Sequence, residues 1–84
     1  MPQLQQVPRI VTPHTIRQGE SFNFARGITR PFGEIDTVLK WCITELTDEW
    51  RWQVVETSSD IRPGRYIFYF DSDRDAAAFS LYWT

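Results

Sequence analysis

The chain has 84 residues, 42% of them hydrophobic and 24% charged, with a formal net charge of −2 at pH 7 and a single cysteine. That length makes one domain with a thin core, burying roughly 60–65% of the surface its unfolded chain exposes. The charge balance excludes a general attraction to phosphate backbones or anionic lipid. Cys42 cannot form an internal disulfide, and His14 as the sole histidine argues against a zinc site.

The aromatic share of 15% is high: four Trp, three Tyr and six Phe. Such rings each bury on the order of 150–250 Å². They either let a small domain stand without disulfides or metal, or form a surface for another chain. No apolar run approaches the ~18–20 residues that span a bilayer, so no membrane partner is expected. "MPQLQQVPRI" lacks the basic start and apolar block of a signal peptide.

Residues 1–20 read as an extended N-terminal arm, distinct from an α+β domain over 21–84. The arm holds Pro2, Pro8 and Pro13 and is too polar and too punctuated by proline for a helix, although "RIV" at 9–11 suits a short edge strand. It lies across its own domain or reaches a neighbour. "SFNFARGIT", 21–29, alternates and predicts a first strand with Phe22 and Phe24 on one face.

In "GEIDTVLKWCITELTDE", Ile35, Val38, Leu39, Cys42 and Leu46 fall on one helical stripe. Pro31 suits the approach, Glu34 and Asp36 suit the N-terminal dipole, and Asp36 and Lys40 form a weak i,i+4 pair. Cys42 on that stripe reads as a packing residue rather than a nucleophile. Trp41 lies off the stripe and either folds over its own domain or meets a partner.

"WRWQVVET" switches to period two, with Trp50, Trp52 and Val54 on one side and Arg51, Gln53 and Val55 on the other. Pro63-Gly64 suits the centre of a type II turn. "RYIFYFD" then returns as a third strand. Its Tyr66, Phe68 and Phe70 face the core, and Arg65, Ile67 and Tyr69 the outside. Ser72 can cap a helix from Asp73, with Asp75 completing a variant capping box and Asp73 in the first turn. Phe79 and Trp83 share the inner face of that helix. Leu81–Thr84 either continue it or form a short last strand.

The order strand, helix, strand, strand, helix predicts an α+β two-layer sandwich, ferredoxin-like βαββα with a short or missing last strand. The sheet edge so left open is there for the arm or another subunit to fill. Asp71, Asp73 and Asp75 match positions 1, 3 and 5 of an EF-hand loop. Ala76 and Tyr82 then stand where Gly and Glu belong, and the match fails. No glycine-rich phosphate loop is present, and Glu45, Asp48 and Glu49 read as a solvated helix end. No catalytic residue, metal or cofactor is expected, and the chain does not read as an enzyme.

"FYFDSDRDAAAF" resembles the third strand and second helix of an RNA-recognition motif. Only Gly64 and Phe70 match that family's strand pattern, and its two base-stacking positions fall on Arg65 and Ile67. Tyr69, Arg51 and Gln53 line an exposed face, but the acidic balance disfavours nucleic acid. The remaining reading is a non-catalytic interaction or assembly module that self-associates or takes a protein partner. Its candidate surface is Trp41, Arg51, Gln53, Arg65, Ile67 and Tyr69.

The tail Phe68-x-Phe70-x4-Asp75-Ala76-x-x-Phe79-x-Leu81-x-Trp83 resembles the ending of small uncharacterised proteins of tailed phages of marine bacteria and cyanobacteria. The likeness covers about the last twenty residues and, more loosely, the Trp41 helix. It implies a phage accessory protein expressed in the cytoplasm of a bacterial host, and carries no site residues with it.

Overall fold

Every member of the predicted helical stripe turns inward. Ile35, Val38, Leu39 and Cys42 are buried on α1 (Ile35–Glu45), and Leu46 packs partly buried behind them. The computed structural model describes residues 14–31 and 33–84. In it α1 follows β1 (Phe24–Arg30), then come β2 (Trp50–Glu56), β3 (Gly64–Phe70) and α2 (Asp73–Trp83). The sheet is three-stranded in the order β1-β3-β2, with β3 antiparallel to both neighbours. This is a small α+β fold, three antiparallel strands and two helices, compatible with a two-layer sandwich.

One cross-strand register accounts for the core. Phe24 lies opposite Phe70, and Phe70 opposite Trp50; Arg26, Phe68 and Trp52 form the next row, and Ile28, Tyr66 and Val54 the one after. Directly opposed residues share a face, so these rows all point to the helices. Phe68, Phe70 and Phe79 are fully buried, with the Phe68 and Phe79 rings 4.8 Å apart. Each such ring contributes about 1.5–3 kcal/mol when withdrawn from water. The parity predicted for Tyr66, Phe68 and Phe70 is the observed one.

α2 begins as its sequence dictates. The Ser72 hydroxyl accepts the Asp75 N–H at 3.2 Å, which satisfies one of the first-turn donors of the helix. The Asp75 side chain does not close the capping box. It accepts instead from the backbone N–H of Asp48, on the segment leading into β2. The helix runs through Trp83, so Leu81–Thr84 supply no fourth strand.

Three further expectations change. β1 starts at Phe24, so Phe22 precedes the strand; its ring lies 6.2 Å from that of Tyr69, on the sheet face opposite the one where Phe24 packs. The left-handed glycines are Gly19 and Gly33, and Gly33 sits in the turn closed by the Glu34 N–H and the Pro31 carbonyl. Gly64 is instead a buried first residue of β3 with no left-handed backbone. Its lack of a side chain makes room for the Tyr66 ring, which an added Cβ would strike. Among the described residues Asp36 and Lys40 form no ion pair; the pairs present are Arg51 with Glu20, Arg51 with Glu49, and Arg65 with Glu56.

The arm enters the fold at the edge of β2. Thr15 bridges Trp52 in parallel, and the Ile16 N–H donates to the Trp52 carbonyl at 3.0 Å. The expected strand at 9–11, with the rest of residues 1–13, lies outside the described residues. No helix among the described residues is long and apolar enough to cross a membrane.

Candidate interaction face

With both helices on one side, the other face of the sheet carries the odd-numbered residues of β1 and β3 and their β2 partners. Ala25, Tyr69 and Arg51 form one row, Gly27, Ile67 and Gln53 the next, and Thr29, Arg65 and Glu56 the last. The register shifts between Val54 and Glu56, a bulge that inserts Val55 as the extra residue. Val55 is 43% exposed and borders this face. Small side chains on β1 leave a shallow groove of about 380 Å³ between Ala25, Gly27, Thr29, Ile67, Val55 and Arg65.

The arm crosses one end of this face. Arg51 holds Glu20 of the arm at 3.2 Å and Glu49 at 2.6 Å, and its guanidinium lies 5.7 Å from the Phe22 ring centre. Burial works against the Arg51 charge, but the Glu49 and Glu20 carboxylates outweigh it and hold its pKa above the ordinary value. The Arg17 backbone N–H, with help from Arg51, holds the Glu20 carboxyl below its usual range. The Tyr69 hydroxyl donates to Gln53 Oε1 at 2.7 Å. At the other end Arg65 and Glu56 are 3.6 Å apart and mostly exposed. Both arginines of the face therefore already have carboxylate partners.

Of the residues singled out from sequence, Arg51, Gln53, Arg65, Ile67 and Tyr69 come together here. Trp41 does not. It is half-buried between the helices, with its ring centre 6.1 Å from those of Phe79 and Trp83 and 5.3 Å from that of Tyr82. Sequence reasoning missed Glu20 and Phe22, which belong to the arm and its junction, and Val55, whose role depends on the bulge. Only the short side chains of Ala25 and Gly27 in a strand were a local signal of a groove.

The reactive side chains are occupied with structure. Burial, and then the nearby Asp75 charge, push the Cys42 thiol far above its ordinary value, so it stays protonated. His14 lies flat on Trp50 at 4.2 Å with rings 10° from parallel. Burial and then the Arg51 charge lower its pKa, with Glu49 opposing them. Among the described residues no three His, Cys, Asp or Glu side chains converge to hold a metal ion. No protein family, curated protein or solved structure matches the chain.

Proposed function

We propose that the chain is a non-catalytic interaction module that self-associates through the open face of its sheet. The observation that carries this is the pairing of Arg51 and Arg65 with Glu20, Glu49 and Glu56 around the apolar strip of Ala25, Gly27, Ile67 and Val55. With Arg51 and Arg65 already paired, the face offers a phosphate backbone little positive charge. An apolar middle bordered at both ends by paired charges suits a copy of the same face turned about a two-fold axis. The buried, protonated state of the Cys42 thiol favours a role without catalysis.

On this reading the order β1-β3-β2 is that of a ferredoxin-like sheet lacking its last strand beside β1. The resemblance of the tail supports reading such a module as a phage accessory protein that acts in the host cytoplasm. Light scattering over a concentration series tests self-association. The wild type is expected to form a dimer or larger species, and Ile67→Glu, which sets a carboxylate into the strip, to return it to monomer with an unchanged fold. A wild type that stays monomeric throughout overturns the reading.

A second reading, an RNA-recognition-like binder of single strands, draws on the Phe22 and Tyr69 rings 6.2 Å apart on the open face. Adjacent half-buried rings on an open face make a platform on which bases stack. Binding of a labelled single-stranded RNA that weakens steeply with salt and is lost in Tyr69→Ala would favour it. No binding at low salt retires it.

A further inference from the structure

We infer that the free edge of β1 is a strand-pairing surface held shut by Arg26 and Arg30, and that its occupant once released is β1 of a second copy. The inference concerns the rim of the sheet and does not depend on the self-association proposed for the open face. Among the described residues β1 has β3 on one side and no strand on the other. An unpaired strand edge is a ready template for another chain, and native proteins blunt it. The opposite edge is already blunted, by the bridge of Thr15 to Trp52 and by the bulge between Val54 and Glu56.

On β1 the blunting falls to two side chains four residues apart. Arg26 Nη1 donates to the Ala25 carbonyl at 2.8 Å, and Arg30 Nη1 donates to the Thr29 carbonyl at 2.8 Å. Carbonyls of alternate residues point to the same side of a strand, so Ala25, Gly27 and Thr29 present theirs together. The Trp52 carbonyl bonds to the arm, so β2 and β3 bond through their odd-numbered residues and β3 and β1 through their even-numbered ones, which leaves the odd-numbered set of β1 for the outer rim.

Both guanidiniums are also tied down from α2. Arg26 Nε donates to Ser80 Oγ at 2.6 Å. Arg30 Nη2 donates to the Trp83 carbonyl, and Arg30 lies 5.8 Å from the Trp83 ring centre. The arginines thus cover the two outer carbonyls of the rim and bring positive charge to it. A second β1 approaching this rim meets those charges with its own.

Without the guanidiniums, β1 has the pattern that self-pairing needs. An antiparallel pair centred on Gly27 opposes Gly27 with Gly27 and Ala25 with Thr29, each pair exchanging backbone hydrogen bonds through the same outward groups. Ala25 and Gly27 are small, and the space beside Gly27 holds no atom closer than the Tyr66 carbonyl oxygen at 3.8 Å from an added Cβ.

The test compares wild type with Arg26→Ala/Arg30→Ala and with the same pair carrying Gly27→Pro. Proline removes an outward N–H without touching the β3 ladder, which is where edge strands tolerate it. In sedimentation velocity the double variant is expected to shift to a species larger than the wild type's as concentration rises, and Gly27→Pro to reverse the shift. A natively folded double variant that sediments like wild type overturns the inference, as does association that Gly27→Pro leaves intact. Hydrogen exchange of the unaltered wild type provides a check that needs no variant. The Gly27 amide is expected to exchange fast beside slow β3 amides, and a protected Gly27 amide would mean that the rim is not free.

Discussion

The carboxylate of Asp75 accepts the backbone N–H of Asp48 at 3.1 Å, which fastens the first turn of α2 to the segment that leads into β2. Asp75 is 4% exposed, the one charged residue buried among the described ones. A buried carboxylate bonded to a backbone N–H is worth about 1.5–3 kcal/mol, and its removal leaves the donor unpaired. Asp75→Ala is expected to lower stability in urea by about that much. Asp75→Asn keeps an acceptor oxygen and should lose less. Equal losses would show that charge, not this bond, is what the site needs.

Phe68 is at the centre of the core, with its ring centre 4.8 Å from that of Phe79, 6.2 Å from Trp52 and 6.4 Å from Trp50. Phe68→Ala should cost about 3–5 kcal/mol, the usual range for emptying a fully packed aromatic site. Chemical denaturation followed by Trp fluorescence measures it. A variant as stable as wild type would mean that the ring is not a core element.

Gly64 gives a prediction that Gly-to-Ala substitutions in strands do not usually follow. Alanine normally helps a strand by limiting the unfolded chain. Here the new Cβ would collide with the Tyr66 ring and stand 3.0 Å from the Glu56 carbonyl oxygen. Gly64→Ala should therefore destabilise by about 1–3 kcal/mol, as overpacking does. In a Tyr66→Leu background the same change should cost clearly less. Additive losses in that double-mutant cycle would contradict the steric account.

His14 predicts a pH dependence. Its pKa is lowered in the fold by burial and by Arg51, against the partial opposition of Glu49, so the unfolded chain takes up the proton first as pH falls. The stability it contributes is present above the unfolded value of about 6.5 and is lost as pH falls through that value toward the folded one. Glu20 acts in the same direction at lower pH, because its depressed carboxyl contributes only while ionised. Melting temperatures should drop between about pH 7 and pH 5. His14→Phe, which preserves a flat ring against Trp50, should flatten that part of the profile. An unchanged slope would assign the effect elsewhere.

The legible parts of this fold are those that repeat along the chain or close within one turn. The α1 stripe, the inward parity of Tyr66, Phe68 and Phe70, and the Ser72 cap all follow from neighbours at most four residues away. Gly64 shows the limit. A proline-glycine pair signals a turn, but what the position requires is set by the pose of the Tyr66 ring, turned back over Gly64, and by Glu56 on the next strand. Phe22 alternates with Phe24 in sequence, yet the chain bends between them, and the arm brings Glu20 to Arg51 from 31 residues away. The carbonyl-covering roles of Arg26 and Arg30 depend in the same way on which strand sits beside β1. Five of the six expected face residues follow from strand alternation alone. Of the two positions open to Trp41, its own domain or a partner, the structure shows the first: the stripe that excluded it described α1's contact with the sheet, and Trp41 packs on α2.

The central position of β3 has a consequence for synthesis. A nascent chain that has emerged only as far as Arg62 holds two strands that cannot pair with each other in the native order, because the ribbon that separates them has not yet been made. Residues 63–84 therefore supply at once the partner for both and the second helix that covers them. A pause at that stage leaves Trp50, Trp52 and Phe24 without their cover, at the point where a chaperone would find the most to hold.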